Sequence, residues 1–241
     1  MTDKALAAII EAKRAVVFDL FHTLTSLEST WGGGRRMTCE MLGVTREAWD
    51  EQLQRKSRDR LVGSKKDAFE IVAEMARAID PSISDELIEA ATENRIARFA
   101  PALREIPDET LAVLEWLKSR GKRIGLISNA DVMEVAAWGQ SKIGHLFDST
   151  IFSCEVGYAK PEKEIYELSL RELGVSAAES VFVGDGGSNE LQGAKSVGMT
   201  TVMITGIIRE LWPERIADRQ QHADFVIDRL TELVEVGVPQ A

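Results

Sequence analysis

Short apolar runs alternate with amphipathic segments over most of this chain. The run AVVFDL at residues 15–20 is short and apolar on both faces, the pattern of a strand buried in a parallel sheet. Further strands are expected in KRIGLISNA, STIFSCEVG, SVFVGDGGSNE, MTTVMITG and ADFVIDRL. Helices are expected in DETLAVLEWLKSRG, DVMEVAAWGQSKIG, KPEKEIYELSLRELG and ELQGAKSVG, and at the C-terminal end. This alternation predicts an α/β fold, a doubly wound, Rossmann-like parallel sheet with helices on both faces.

The block at residues 30–100 has helical spacing alone and no strand pattern. Gly43, Gly63 and the pair Asp80-Pro81 divide it into segments. Suitable N-cap residues stand before three of these segments: Thr45, Ser64 and Ser84. The pattern predicts four helices inserted after the first strand. We therefore expect an α/β core formed by residues 1–25 and 106–241 and an all-helical cap domain at residues 26–105.

Charge and composition narrow the possible partners. The formal net charge of -10 argues against a nucleic-acid backbone as partner, although a local positive pocket can still bind a small anion. Cys39 and Cys154 lack metal-binding spacing and suggest free thiols in a reducing compartment. No apolar run reaches the roughly 18 residues that cross a bilayer. The apolar stretch at residues 5–10 belongs to an opening amphipathic helix and is short for a signal peptide. We expect a cytoplasmic monomer or homodimer that binds neither nucleic acid nor membrane.

Polar residues follow the predicted strands at the points where ligands bind in open parallel sheets, beyond the carboxyl ends. These positions are Asp19, the pair Ser128-Asn129, Lys160 ahead of a helix, and Gly184-Asp185. A single polar residue in such a loop is common. Four such positions in one chain indicate a shared site.

The four positions resemble the motifs of the haloacid dehalogenase superfamily of hydrolases, over essentially the full length of the chain. The first motif, Asp-x-x-x-Thr-Leu/Val after a strand, corresponds to residues 19–24, and the second, a Ser closing the next core strand, to Ser128. The third, a Lys just before Pro and a helix, corresponds to Lys160. The fourth, Gly-Asp with an acidic residue five positions later, corresponds to Asp185 and Glu190. A helical cap between the first two motifs also agrees with this family.

The resemblance implies a covalent mechanism on a small anionic substrate. Asp19 would be the nucleophile and Ser128 would orient the transferring group, while Lys160 would neutralise charge around the intermediate. Asn129 would bind substrate through its amide, or would only cap its loop.

The resemblance also implies a Mg²⁺ cofactor held by Asp19, Asp185 and the main-chain carbonyl of Phe21, an oxygen donor set that suits this ion. Glu190 would reach the metal, through water for example, or brace Lys160.

Phe21 departs from the phosphatase pattern, in which a second Asp stands two residues after the nucleophile and serves as general acid and base. Phenylalanine has no titratable group, although its main-chain carbonyl can still bind a metal. His22, beside it, is a candidate acid or base in a position where the family often has Gly. The retained Asp185 favours a Mg²⁺-dependent phosphatase acting on a small phosphorylated metabolite, since phosphoryl transfer uses a metal to neutralise developing charge.

Three alternatives follow from Phe21. A 2-haloacid dehalogenase has an aromatic residue here and releases a halide that needs no proton. A phosphonatase-like enzyme would use a cap lysine, with Lys56, Lys65 and Lys66 as candidates, although these more often lie on a solvated surface. A catalytically weak relative would only bind a phosphorylated metabolite or a protein.

Overall fold

Six parallel strands form a single sheet in the order β3-β2-β1-β4-β5-β6. The computed structural model describes residues 2–27 and 35–234. The strands are β1 (Ala15–Phe18), β2 (Arg123–Ser128), β3 (Ser149–Phe152), β4 (Ser180–Gly184), β5 (Thr200–Ile204) and β6 (Phe225–Ile227). The chain winds away from the central β1 in both directions, first through β2 and β3 and then through β4, β5 and β6. The predicted doubly wound α/β fold is therefore confirmed.

Helices cover both faces of the sheet and form the inserted block. They are α1 (Thr2–Ala12), α2 (Thr38–Leu42), α3 (Arg46–Arg55), α4 (Ser57–Leu61), α5 (Ala68–Ile79), α6 (Asp85–Arg104), α7 (Asp108–Ser119), α8 (Ser153–Val156), α9 (Lys163–Leu173), α10 (Glu190–Ser196), α11 (Gly206–Leu211) and α12 (Ile216–Arg219). Within the described residues, the expected terminal helix is a 3₁₀ helix at Leu230–Leu233. In the same ranges, no helix is both long enough and apolar enough to cross a membrane.

Alternate residues of β1 face two separate apolar layers. Val16 and Phe18 pack in the layer that contains α1 and α7, whereas Ala15 and Val17 pack in the layer that contains α9 and α10. All four residues are fully buried. Because both faces of the sheet are covered, the strand has to be apolar at every position, which explains the unbroken run in the sequence.

The inserted block contains five helices in its described part, one more than expected. Two of its three predicted N-caps are confirmed. The Thr45 hydroxyl accepts a hydrogen bond from the N–H of Ala48 at 3.2 Å, and that of Ser84 accepts from the N–H of Leu87 at 3.4 Å. The Ser64 prediction is wrong, because α5 begins later and Asp67 caps it.

A third apolar cluster lies mainly within the inserted block, and its largest members include Trp49, Ile71, Met75 and Ile88. The block thus has a core of its own, as a separate cap would need. Residues 28–34 of the predicted cap and residues 1 and 235–241 of the predicted core lie outside the described residues. The exact division into 1–25, 26–105 and 106–241 stays a prediction.

The helix expected in DVMEVAAWGQSKIG is wrong, since residues 131–144 form turns and a short 3₁₀ helix (Trp138–Gln140). The Asp131 side chain accepts hydrogen bonds from the N–H groups of Met133 and Glu134 at 2.9 and 3.0 Å, a local turn that competes with helix. Met133 then packs in the block's cluster, whereas Val135 packs in the main core. Packing in two directions overrides the helical spacing of the segment.

Gly63 brings the segment after α4 against α8 of the core. Its φ is +68°, and a Cβ at this position would lie 1.8 Å from the carbonyl oxygen of Cys154. Gly43 has a similar φ of +70°, but a Cβ there would have nothing within 4 Å.

We expect Gly63→Ala to lower the free energy of unfolding more than Gly43→Ala, the matched control. The control carries only the left-handed backbone cost of about 1–2 kcal/mol. Gly63→Ala adds a clash with backbone that has to move. Urea unfolding of both variants tests this, and equal losses would contradict the close approach of the block to the core.

Candidate active site

The register of the central strands gathers the predicted residues at one edge of the sheet. Phe18 pairs with Leu126 on β2 and with Val183 on β4. Asp19 follows directly, and its N–H donates to the carbonyl of Val183 at 2.9 Å. Ser128 ends β2 and Asp185 follows β4. The site therefore lies where the winding direction reverses, the usual ligand position in such sheets.

Lys160 joins two of the carboxylates. Its Nζ forms an ion pair with Asp19 Oδ1 and a second one with Glu190 Oε2, the latter at 2.5 Å. The other Asp19 oxygen, Oδ2, accepts a hydrogen bond from the Thr23 hydroxyl at 3.2 Å. Glu190 Oε1 accepts from the N–H of Gly186 at 2.9 Å. All four side chains that carry these contacts are buried. Glu190 thus braces Lys160, one of the two roles left open by the sequence, and its contact with a metal stays a prediction.

Burial and charge oppose each other in this group. Burial raises the pKa of Asp19, the charge of Lys160 lowers it, and the neighbouring Asp185 raises it again, with a net rise. Burial lowers the pKa of Lys160, but the charges of Asp19 and Glu190 outweigh this and hold the pKa above its ordinary value. The lysine therefore stays protonated and keeps a positive charge beside the Asp19 carboxylate.

The loop after β4 is built around Asp185. Asp185 Oδ1 accepts from the N–H of Gly187 at 2.8 Å. Ser188 and Asn189 follow in the left-handed region at φ +53° and +54°, where residues other than glycine are uncommon. Gly184 is needed before this turn, because a Cβ there would lie 2.2 Å from Glu190 Oε1. Such local strain is typical of loops that hold functional groups.

Ser128 and Asn129 have different surroundings. The Ser128 hydroxyl is buried and has no hydrogen-bond partner among the described residues, so its donor is left for a ligand. Asn129 instead binds the main chain of Lys160 twice, with Nδ2 donating to the carbonyl at 2.9 Å and Oδ1 accepting from the N–H at 2.8 Å. Asn129 holds the lysine loop, and its predicted contact with substrate stays a prediction.

An open cleft of about 380 Å³ lies over these groups. Its aromatic lining includes Phe21, His22 and Trp212. His22 has a φ of +63°, which accounts for the glycine often found at this place in the family, and its ring meets Trp212 edge-on with centroids 5.0 Å apart. The missing second carboxylate at Phe21 is therefore replaced by an aromatic surface.

Three carboxylates could hold a metal ion. Asp19, Asp185 and Glu190 are buried and offer oxygens within 4.8 Å of one another. An all-oxygen donor set of this kind suits Mg²⁺, which prefers carboxylates and retained waters. The residues present therefore fit the ion that the family resemblance implies.

Sequence reasoning missed Arg219, the last residue of α12. Its Nη1 forms an ion pair with Asp185 Oδ2 and also donates to the Asp185 carbonyl at 3.3 Å. Its segment carries several arginines, and nothing in their spacing singles out this one. Only the return of the chain between β5 and β6 brings Arg219 over the loop after β4.

A buried ionic network beside the site was also missed. Asp131 Oδ2 lies 2.7 Å from Arg60 Nη1 and 3.3 Å from Arg95 Nη2, and Glu134 Oε1 lies 3.0 Å from Arg95 Nη2. Burial raises the pKa of Asp131, but the charges of Arg95 and Arg60 outweigh this effect and hold the pKa below its ordinary value. The network ties the inserted block to the loop that follows Ser128.

The lysines considered for a phosphonatase lie elsewhere. Lys56 and Lys65 both form ion pairs with Glu74, the first at 2.8 Å, and Lys66 is exposed. None of the three lines the cleft that contains Asp19. Their positions agree with a solvated surface rather than with a reactive amine.

The model of the haloacid dehalogenase-like hydrolases matches residues 13–198. The chain therefore belongs to this family of hydrolases, as its motifs predict.

Two relatives and one solved structure extend the comparison. The glyceraldehyde 3-phosphate phosphatase of Methanothermobacter thermautotrophicus is 33% identical over 138 residues, which are 56% of this chain and 59% of that protein. A protein of the same name from Methanopyrus kandleri is 29% identical over 234 residues, 92% of this chain and 96% of that one. The 2-haloacid dehalogenase of Pseudomonas syringae pv. tomato has a TM-score of 0.64 at 21% identity, with 92% of this chain and 96% of that chain covered, and so shares the fold. The chain spans somewhat more than half the length of the first curated relatives it matches.

Proposed function

We propose that this hydrolase is a Mg²⁺-dependent phosphatase that acts on a small phosphorylated metabolite through an aspartyl-phosphate on Asp19. The observation that carries the proposal is the buried Asp19 carboxylate, held by Lys160 and Thr23 beneath an open cleft. The phosphatases among its relatives support the same reaction class. Its cytoplasmic location and its state as a monomer or homodimer stay predictions.

In the first step, an Asp19 oxygen forms a bond to phosphorus while the bond from phosphorus to the ester oxygen breaks. The electron pair leaves with the alcohol oxygen. Lys160 offsets the charge that Asp19 carries before the step. The Ser128 hydroxyl, which has no hydrogen-bond partner in the described part of the chain, donates to a phosphoryl oxygen. In the second step, a water oxygen forms a bond to phosphorus while the bond from phosphorus to the Asp19 oxygen breaks. The electron pair returns to the Asp19 carboxylate, and inorganic phosphate leaves while a proton of the water passes to solvent.

Asp19, Asp185 and the main-chain carbonyl of Phe21 would hold the Mg²⁺ ion, with Glu190 close by. When bound, the ion would supply positive charge that offsets the negative charge developing on the transferring group.

The chain itself supplies no acid at Phe21, so the leaving alcohol has to take its proton elsewhere. This favours substrates whose leaving group is a weak base. The name of the relatives points instead to glyceraldehyde 3-phosphate. A test should therefore include both this compound and phosphates with a weakly basic leaving group.

A 2-haloacid dehalogenase is the second candidate, favoured by one observation. The aromatic side chain of Phe21 lines the cleft, and a halide needs no proton to leave. The group of Asp19, Asp185 and Glu190 speaks against it, because three buried carboxylates form an oxygen donor set that suits a divalent cation, and release of a halide needs no such ion. A protein that only binds a phosphorylated metabolite would have little need of the Lys160–Asp19 pair.

A substrate panel separates these functions. It contains glyceraldehyde 3-phosphate, other phosphomonoesters, acyl phosphates, phosphonoacetaldehyde and 2-haloacids, each with Mg²⁺ and with chelator. We expect phosphate release that depends on Mg²⁺ and is lost in chelator, because the carboxylates then repel the transferring group. Halide release that persists in chelator would overturn the phosphatase proposal, and no turnover of any compound would favour the binding protein.

A further inference from the structure

Arg219 forms an ion pair with Asp185, one of the carboxylates of the proposed metal site. Asp185 has two oxygens, and Oδ1 already accepts from the N–H of Gly187 at 2.8 Å. The guanidinium of Arg219 takes Oδ2. Both oxygens are therefore engaged within the protein. A cation that binds Asp185 approaches either the oxygen that Arg219 contacts or its neighbour on the same carboxylate, and in both cases it comes close to the guanidinium charge.

The charges of the site are nearly balanced by the chain itself. Lys160 contacts Asp19 and Glu190, whereas the cation that contacts Asp185 among the described residues is Arg219. The Arg219 side chain is 14% exposed, so its charge is weakly screened by solvent. Arg219 thus supplies Asp185 with the countercharge that a divalent ion would otherwise bring, and the two cations would repel each other at this carboxylate.

The loop after β4 is shaped to receive this arginine. Gly186 has a φ of +82°, and a Cβ there would lie 2.8 Å from the Arg219 Cβ. The stem of Arg219 therefore lies directly over the glycine, and a residue with a side chain would push it away. The contact with Asp185 is a built feature of the loop rather than a chance approach of an exposed side chain.

The segment that carries Arg219 can release it at little cost in packing. Helix α12 is four residues long, and its neighbours Asp218 and Gln220 are exposed. Arg219 also lines the cleft itself, so a released guanidinium has open space to enter.

We propose that Arg219 competes with the divalent cation for Asp185, neutralising this carboxylate in the metal-free protein and leaving it when the metal binds. The inference deepens the proposed function and rests on its metal site. Its consequence is that the wild-type chain binds Mg²⁺ more weakly than its carboxylates alone would allow.

Titration calorimetry of Mg²⁺ into the metal-free full chain tests the competition. We expect Arg219→Gln to bind Mg²⁺ more tightly than the wild type by on the order of tenfold, a usual size for coupling between two ligands. Arg215→Gln is the matched control. Arg215 lines the same cleft and rests on the Trp212 ring at 5.3 Å, and its ion pair among the described residues is with Glu214 rather than with Asp185. Removing its charge should change the Mg²⁺ dissociation constant much less.

A second variant covers the case in which Arg219→Gln does not fold. Arg219→Lys keeps the charge but replaces the planar guanidinium, whose Nη1 contacts both the carboxylate and the carbonyl of Asp185, with a shorter and more strongly hydrated ammonium group. The affinity for Mg²⁺ should rise in the order Arg, Lys, Gln. Folding of each metal-free variant is checked by circular dichroism.

If Arg219→Gln binds Mg²⁺ as tightly as the wild type or more weakly, the competition is wrong. If Arg219→Gln does not fold, Arg219→Lys decides, and an affinity for Mg²⁺ no tighter than that of the wild type would overturn the competition. Absence of Mg²⁺ binding in every variant would overturn it as well. The substrate panel reports separately on the proposed function. If phosphate release depends on the metal but Arg219→Gln binds Mg²⁺ as the wild type does, only the competition is rejected. If halide release persists in chelator but Arg219→Gln binds Mg²⁺ more tightly than the wild type, only the phosphatase is rejected.

Discussion

Asp19→Asn should abolish turnover while leaving the protein folded. Removal of a covalent nucleophile lowers turnover by a factor on the order of 10⁶ in a well-studied hydrolase, and the same scale is expected here. Asn keeps the size of the side chain and a donor or acceptor for Lys160 and Thr23, but its amide oxygen does not attack phosphorus. Phosphate release with the best compound of the substrate panel measures the loss.

Although Asp19→Asn should lose turnover, we expect its folded state to be no less stable than that of the wild type. Burial raises the pKa of Asp19 in the folded protein, so the folded protein holds this proton more tightly than the unfolded chain does. The proton therefore stabilises the fold fully at a pH below the ordinary carboxyl pKa, and this stabilisation is lost as the pH rises through the pKa of Asp19 in the folded protein. At pH 7 the ionised Asp19 carboxylate is less favourable to folding than its neutral form would be, and Lys160 keeps Glu190 as a partner in the variant. We expect the metal-free variant to melt at the same temperature as the wild type or above it.

Asp50→Asn provides the control for this substitution. Asp50 is exposed on α3 and pairs only with Arg46, at 3.5 Å, among the ion pairs of the described residues. Its turnover should equal that of the wild type. A folded Asp19→Asn that retained turnover would reject Asp19 as the nucleophile in every reaction considered for this cleft.

Phe21→Asp should increase hydrolysis of unactivated alkyl phosphates. The new carboxyl group would stand two residues after Asp19 on the wall of the same cleft, where it can protonate a leaving alkoxide. General acid catalysis contributes on the order of 10²–10⁴ in rate, which sets the upper range of the gain. The ratio of rates for an alkyl phosphate and an activated phosphate measures it, and this ratio should rise.

Phe21→Asn separates proton transfer from a change in space. Asn has the size of Asp but no proton to give at neutral pH, so it should leave the ratio unchanged. Both variants lose the contact with Phe99, whose ring centroid lies 6.4 Å from that of Phe21, and should be destabilised alike. An equal rise in both variants would show that the missing acid does not limit the wild-type reaction.

The pattern of apolar residues was sufficient to predict the sheet. The strands are covered on both faces, so burial forces an unbroken apolar run such as residues 15–18 and leaves a strong local signal. The segment at 131–144 shows where this signal fails. Its apolar residues have helical spacing, but Met133 and Val135 pack in different clusters, and the Asp131 side chain supplies a competing turn.

Some residues of the candidate site could also be predicted from the sequence, whereas other contacts could not. Asp19, Ser128 and Asp185 could be predicted because they stand directly at or after strand ends, and parallel pairing brings strand ends together whatever the loops do. The contact of the Asn129 amide with the Lys160 main chain could not be predicted, because it depends on where the Lys160 loop lies, and the contact of Asn129 with substrate stays a prediction.

The sequence by itself determined the fold, the family and the converging carboxylates, because each depends on burial or on residues next to a strand. The tertiary structure alone decided the contacts of Arg219 and of the Asp131 network. Both join segments far apart in the chain, Arg219 to Asp185 and Arg60 and Arg95 to Asp131. An ion pair between distant segments needs no local pattern, since it depends on where packing brings two side chains and not on their neighbours in sequence.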